Sequence, residues 1–317
     1  MTGVTEAARW ADLLVQLEPT MARLLDRHLE TVRDWLPHTY VPWSDAHDFD
    51  GPLGGLPWSA DQSPIPDAVQ DALVVNLLTE DNLPSYHFEL ASRLGRDGAW
   101  GTWVHRWTAE EGRHGDALRM YLHARRAVDP VALEGQRMRA VTTGFTSGQP
   151  TILHALAYVA VQELATREAH RNAGQACGDP LGERLMARIA ADENLHMLFY
   201  RDLYAAALDA APAPALAALA DVVCGFQMPG TTIPGFQRRA LRIAAAGIYD
   251  LDVHREHVLM PLLRTLSVME RTAVGSVGEE AQDRIGRHVE ELQAASARAQ
   301  RLYARMNRST ERATAHQ

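Results

Sequence analysis

Lysine is absent from the 317 residues, so all 31 side chains of the Lys+Arg class are arginine. No mechanism built on a lysine is available, neither Schiff-base chemistry nor a phosphate loop ending in Lys-Ser or Lys-Thr. Cysteine is scarce. Cys177 and Cys224 form no metal-binding pattern, and two in so long a chain fit a reducing cytoplasm, although a bridge between them is open in principle. Aromatics are only 7% of the residues, and strand signals are nearly absent, since apolar positions recur every three or four residues rather than every two. No uncharged apolar run long enough for a membrane span occurs. The first residues carry Glu6, Arg9, Asp12 and Glu18, unlike a secretory signal. A cytoplasmic protein without a membrane span is expected. The net charge of -9 argues against a general nucleic-acid binder, and 46% hydrophobic residues suffice for a sizeable core.

What is present is helical pattern, and the fold class expected is all-α. Residues 5–35 read as one or two helices. Six of the 16 prolines lie in residues 37–66, which read as loop. Four strongly periodic segments follow, at about 67–93, 97–126, 150–175 and 180–209, with Pro212 and Pro214 ending the fourth. Further helices are expected at about 236–268 and along the charged C-terminal stretch to about 305, with fraying beyond. One domain, 1–317, is expected: a core bundle over about 67–209, an N-terminal helix and Pro-rich loop over 1–66, and C-terminal helices over 215–305.

Each periodic segment carries a carboxylate on its apolar face. The first runs Val69, Leu73, Leu77, then Glu80, and the second Trp100, Trp103, Trp107, then Glu111 and His114. The third runs Ile152, Leu156, Val159, then Glu163, and the fourth Leu185, Ile189, then Glu193 and His196. A buried Glu is costly unless paired or metal-bound, so four aimed inward call for a shared cation. Glu111 to His114 and Glu193 to His196 are both Glu-x-x-His, a spacing that projects two side chains to one side of a helix. Each follows a solitary Glu at matched distance, 31 residues after Glu80 and 30 after Glu163. The chain thus repeats Glu, hairpin, Glu-x-x-His twice, which is the di-iron carboxylate arrangement of four-helix bundles. Oxygen and imidazole donors suit iron, with manganese possible, over zinc.

The segments Thr79–Tyr86, Trp107–Asp116, Val161–Thr166 and Ala190–His196 resemble the four ligand segments of the acyl-acyl-carrier-protein desaturases. These are stearoyl-type enzymes of the ferritin-like di-iron superfamily, and the likeness is nearest to the actinobacterial members. The resemblance spans about residues 40–260. It implies a ferritin-like four-helix bundle with additional helices, a homodimer, and two Fe2+ per chain held by Glu80, Glu111, His114, Glu163, Glu193 and His196. Glu111 and Glu193 are the bridging candidates. The implied reaction places a cis double bond in a saturated acyl chain on acyl carrier protein, using O2 and two electrons from a ferredoxin. Gly112 and Leu164 stand where the plant family has Asn and Arg, which leaves chain length and bond position open. A di-iron hydroxylase or oxidase would use the same centre. A ferritin-type iron-binding bundle and a ribonucleotide-reductase radical subunit fit the sequence less well.

Around the ligands, Asp192 and Glu110 each precede a Glu-x-x-His. By pseudo-symmetry, Asp192 is expected to orient His114 and Glu110 to orient His196. The resemblance gives Thr166 a role near the O2 site and Trp43 one on an electron route from the surface, although Trp43 could equally be core packing. Pro84, four residues after Glu80, should break the helix beside the metal. Leu156 and Val159 are candidates to line an acyl tunnel. His87, His105, His123, His154 and His170 are expected to be structural or exposed. An acidic carrier protein needs a local cationic face, for which Arg93, Arg96, Arg238, Arg239 and Arg242 are candidates.

Overall fold

A computed structural model describes residues 6–314, and these are helical with no strand among them. Helix α1 (Glu6–Thr31) leads into the proline-rich segment, which holds only short 3-10 turns, as its composition dictates. Helices α2 (Asp67–Glu80) and α3 (Leu83–Leu94) form the first periodic segment, interrupted at Asp81 and Asn82. Pro84 sits at the start of α3, where a missing N–H does no harm, so the expected break lies one residue past Glu80. Then come α4 (Gly98–Ala124), α5 (Pro130–Thr143), α6 (Ile152–Ala176), α7 (Pro180–Ala210) and α8 (Pro212–Gly225).

Helix α5 has no counterpart in the periodic reading, because only Leu133 on it is buried and the apolar stripe is missing. Pro212 closes off α7 and also opens α8, by the same first-turn preference. Helix α9 (Phe236–Ala245) follows the Gly/Pro loop. Helices α10 (Leu251–Val253) and α11 (Met260–Thr265) flank a π-helical turn at His254–Leu259. Helix α12 runs Gly275–Thr314 without the expected end near 305.

Helices α6 and α7 form the most extensive pair. A small residue sets their approach, since a Cβ on Gly174 would lie 2.7 Å from the Met186 Cβ, and Gly182 likewise admits the Tyr121 hydroxyl of α4 against α7, where a Cβ would lie 2.5 Å from it. Helix α1 packs on α7 and α4, α8 on α6 and α12, and α9 on α2. Two apolar layers result. One gathers Trp100, Trp103, Leu156, Tyr200 and Leu203, and the other Leu73, Leu77, Leu118, Leu185 and Ile189. On α4 and α7 the Glu-x-x-His motif falls between a stretch belonging to one layer and a stretch belonging to the other. A polar stratum therefore separates the halves. Both cysteines are free thiols. Among the described residues, no helix is long and apolar enough to cross a membrane.

Candidate metal centre

Four helices deliver their carboxylates to that stratum: α2 at its last residue, α4 and α7 at their midpoints, and α6 between its two apolar stretches. Two groups of donor atoms form there. Glu80, Glu111, His114 and Glu193 make one, and Glu111, Glu163, Glu193 and His196 make the other, the atoms of each within 4.8 Å of one another. All six expected ligands are included, and Glu111 and Glu193 belong to both groups. Every member is buried except Glu80, which is partly so.

The imidazoles are oriented alike. His196 turns Nδ1 toward Glu111 at 2.7 Å and Glu163 at 3.7 Å, and its Nε2–H donates to Glu110 at 2.8 Å. His114 turns Nδ1 toward Glu111 at 3.1 Å and Glu193 at 3.4 Å, with Nε2 facing Asp192 at 3.4 Å. Both Nδ1 atoms thus face the cluster, where each would be a metal ligand once its proton is lost.

The donor set fits a cation. Glu111 Oε1, Glu163 Oε2 and His196 Nδ1 are buried without a hydrogen-bond partner, the condition expected of atoms that face a bound ion. In the protein alone, burial together with the charges of Glu111 and Glu193 pushes Glu80 and Glu163 well above the carboxylate range. Burial acts against charge on His196 and His114, yet Glu111 and the carboxylate bonded to each ring raise both well above the usual imidazole value. Protons thus stand in for the missing positive charge, and metal binding would release them.

Glu110 also accepts from His28 Nε2 at 3.0 and 3.2 Å and pairs with Arg106. These donors and His196 outweigh its burial and hold it well below the carboxylate range. His28 is buried, stacks on His196 with ring centroids 5.9 Å apart, and was not singled out from sequence. Its only advance signal is an imidazole on the amphipathic face of α1. Asp192 accepts from Trp35 Nε1 at 2.7 Å and from Arg113 at 3.3 Å, and it pairs with Arg188. The Arg113 and Arg188 guanidinium carbons lie 5.4 and 5.9 Å from the Trp35 ring centroid.

Trp35, not singled out from sequence, thus reaches the surroundings of the cluster through Asp192. Trp43 is 52% exposed, its indole bonds only the His38 carbonyl, and it is neither core nor in contact with the cluster. His170 is structural rather than exposed. It is buried with Nε2 at 3.5 Å from Glu80 and 3.8 Å from Glu193, while the Asn76 amide meets its Nδ1 at 3.2 Å. Burial lowers it to about 4, a neutral ring.

The single hydroxyl proton of Thr166 has three acceptors in reach, the Gln162 and Glu163 carbonyls at 3.1 Å each and Glu193 Oε2 at 2.9 Å. Trp107 Nε1 donates to Glu163 Oε1 at 3.1 Å. Beside Trp107 lies a narrow cavity of about 40 Å³, walled on α6 by Ala155, Tyr158, Val159 and Gln162 and on α3 by Tyr86 and Leu90. Val159 is on its wall. Leu156 is not; it points into the apolar layer and is fully buried.

A family profile described as fatty acid desaturase matches residues 9–316. The acyl-acyl-carrier-protein desaturase DesA1 of Mycobacterium tuberculosis is 47% identical over 291 residues, covering 89% of this chain and 86% of its own. DesA2 of the same organism is 34% identical over 267 residues, covering 84% and 94%. The chloroplastic acyl-acyl-carrier-protein desaturase 7 of Oryza sativa is 30% identical over 293 residues, covering 86% and 72%. The X-ray structure of DesA2 superposes with a TM-score of 0.69 at 29% identity, covering 84% of this chain and 99% of that one. The fold is thereby the all-α ferritin-like one.

Proposed function

The chain belongs to the fatty acid desaturase family, of the acyl-acyl-carrier-protein type, and from that premise we propose that it inserts a cis double bond into a saturated acyl chain carried on acyl carrier protein. The observation that carries this reading is the pair of overlapping donor groups beside a narrow, largely apolar cavity. Two irons would be held by Glu80, Glu111, His114, Glu163, Glu193 and His196, with Glu111 and Glu193 common to both. The chemistry supplied by bound iron is activation of O2 for removal of two hydrogens from adjacent methylenes, two further electrons and two protons completing reduction to water.

The protein's own contribution is orientation, proton placement and exclusion of water. Glu110 and Asp192 fix the two imidazole tautomers. Trp107 keeps Glu163 turned by donating to one oxygen only. Thr166 holds a proton against Glu193, and its hydroxyl can exchange that bond for one to an oxygen species in the pocket, which makes it the proton-delivering group. Tyr86, Trp107 and Val159 hold the chain and keep the site dry. The Trp35–Asp192–His114 contact is the entry proposed for electrons from a ferredoxin-type donor, in place of Trp43.

For the carrier protein, Arg238, Arg242 and Arg96 are exposed, whereas Arg93 is committed to Glu89 and the Gln149 carbonyl. Arg239 and Arg242 both approach Asp71, which offsets part of their charge. The docking face proposed is therefore the α9 surface. A cytoplasmic homodimer completes the proposal.

The test is anaerobic ferrous loading followed by O2, reductant and a panel of acyl carrier protein thioesters, read by product mass. Loss of two hydrogens is expected. Gain of one oxygen would make the protein a hydroxylase instead, and iron accumulation without acyl turnover would make it a storage protein.

A further inference from the structure

The wall of the cavity farthest from the metal centre is charged, which an acyl tunnel does not need. Ala155 marks this end, eight residues or about 12 Å along α6 from Glu163. There Arg93 pairs with Glu89 at 3.4 Å and donates to the Gln149 carbonyl at 2.6 Å. Ser147 donates to Glu89 twice, from its hydroxyl at 2.6 Å and its backbone N–H at 3.1 Å. Every partner outside α3 belongs to the short loop between α5 and α6, which carries glycines with positive φ at Gly144 and Gly148. The same Glu89, Arg93 and Phe145 form one side of an outer cleft of about 520 Å³. Phe88, 71% exposed, lies in that cleft.

A partly buried ion pair costs desolvation, and an apolar cap would close a blind tunnel more stably. A clasp whose bonds all come from one loop can be released by moving that loop alone. We propose that Glu89, Arg93 and Ser147 form a gate, through which the methyl end of an acyl chain longer than the tunnel passes into the outer cleft and rests on Phe88. The carrier-bound end then lies on the metal side, where the arginine-bearing α9 packs on α2, whose last residue is Glu80. The substrates of this enzyme are then long-chain acyl thioesters that protrude past the tunnel. This inference rests on the desaturase reading.

Iron-loaded protein is mixed with carrier thioesters of graded length that carry a diazirine at the methyl end, irradiated, and digested for mass spectrometry. Short probes are expected to label tunnel-wall residues such as Leu90, Ala155 and Val159, and long ones Ser85, Phe88, Ser92 and Thr146, which line the cleft and not the tunnel. In parallel, Ser92→Trp, an exposed position in the cleft alone, should lower the long-to-short ratio of kcat/KM about tenfold, the discrimination that a blocked methylene or two carries. Ser147→Ala, which loosens the clasp, should raise that ratio. If short thioesters are desaturated while long ones neither label the cleft nor respond to Ser92→Trp, the gate is overturned and the function stands. Cleft labelling by a probe placed beside the thioester would overturn the direction of entry. If no thioester of any length binds, the desaturase reading itself fails.

Discussion

Exchange of Glu110 for glutamine removes one charge and keeps the volume. In the native site this carboxylate accepts from His196 at 2.8 Å and from His28 at 3.0 and 3.2 Å, and it pairs with Arg106. An amide has one acceptor oxygen and one NH2 group. If the oxygen faces His196, the NH2 meets the donors of His28 and Arg106; if it faces those, the NH2 meets the Nε2–H of His196. Either way a buried donor is left unsatisfied, and His196 is released to carry its proton on Nδ1, the nitrogen that faces Glu111. The metal must then displace that proton. Loss of such an outer partner costs about 10–100-fold in metal affinity, or about 1.4–2.7 kcal/mol. The upper end applies here, because Glu110 is buried and satisfies three donor groups. Anaerobic ferrous titration against a competing chelator measures the loss, with far-UV circular dichroism to check helix content. Asp116→Asn, at an exposed acid one turn further along α4, serves as the control and should leave affinity unchanged. An affinity for Glu110→Gln within about threefold of the parent, with helix content intact, would refute the orienting role.

Three further outcomes are expected. Glu111→Ala and Glu193→Ala, each removing a residue common to both donor groups, should abolish iron binding by elemental analysis and abolish turnover while far-UV circular dichroism shows helix content retained. His254, buried against Phe226 and bonded to Tyr249 at 2.9 Å, is lowered by burial and by His288 from 6.5 to about 4. The unfolded chain takes up that proton first, so stability should fall by about 3 kcal/mol as pH drops from 6.5 to 4, and His254→Gln should flatten that part of a urea-midpoint profile. Gly174→Ala should cost about 1–3 kcal/mol by denaturant titration, since the new methyl meets the Met186 Cβ at 2.7 Å between two rigid helices.

The core helices and the donor cluster they bring together were legible because each carries a long apolar stripe broken by a carboxylate, and a stripe is what periodicity detects. The break after Glu80 was legible because proline acts locally. Helix α5 was not, since its single buried Leu133 writes no stripe. Trp35 and His28 were missed for a different reason. Both reach the centre from the N-terminal helix or from the residues just after it, through contacts such as Trp35 to Asp192 that bridge 157 positions. No local pattern encodes such a distance. The clasp of Glu89, Arg93 and Ser147 was hidden likewise, because it exists only once a loop near residue 147 folds against α3.

The polar stratum between the two apolar layers bears on how the protein melts. Each layer is a hydrophobic unit of its own, and across the seam the metal-free chain offers only buried acids and imidazoles, which couple the units weakly. Ligands on α2, α4, α6 and α7, drawn onto shared ions, tie the units into one. Calorimetry should then show two overlapping, separable transitions for the metal-free protein and a single sharp one when loaded. The same six side chains that would serve oxidation would act as the rivet of folding cooperativity.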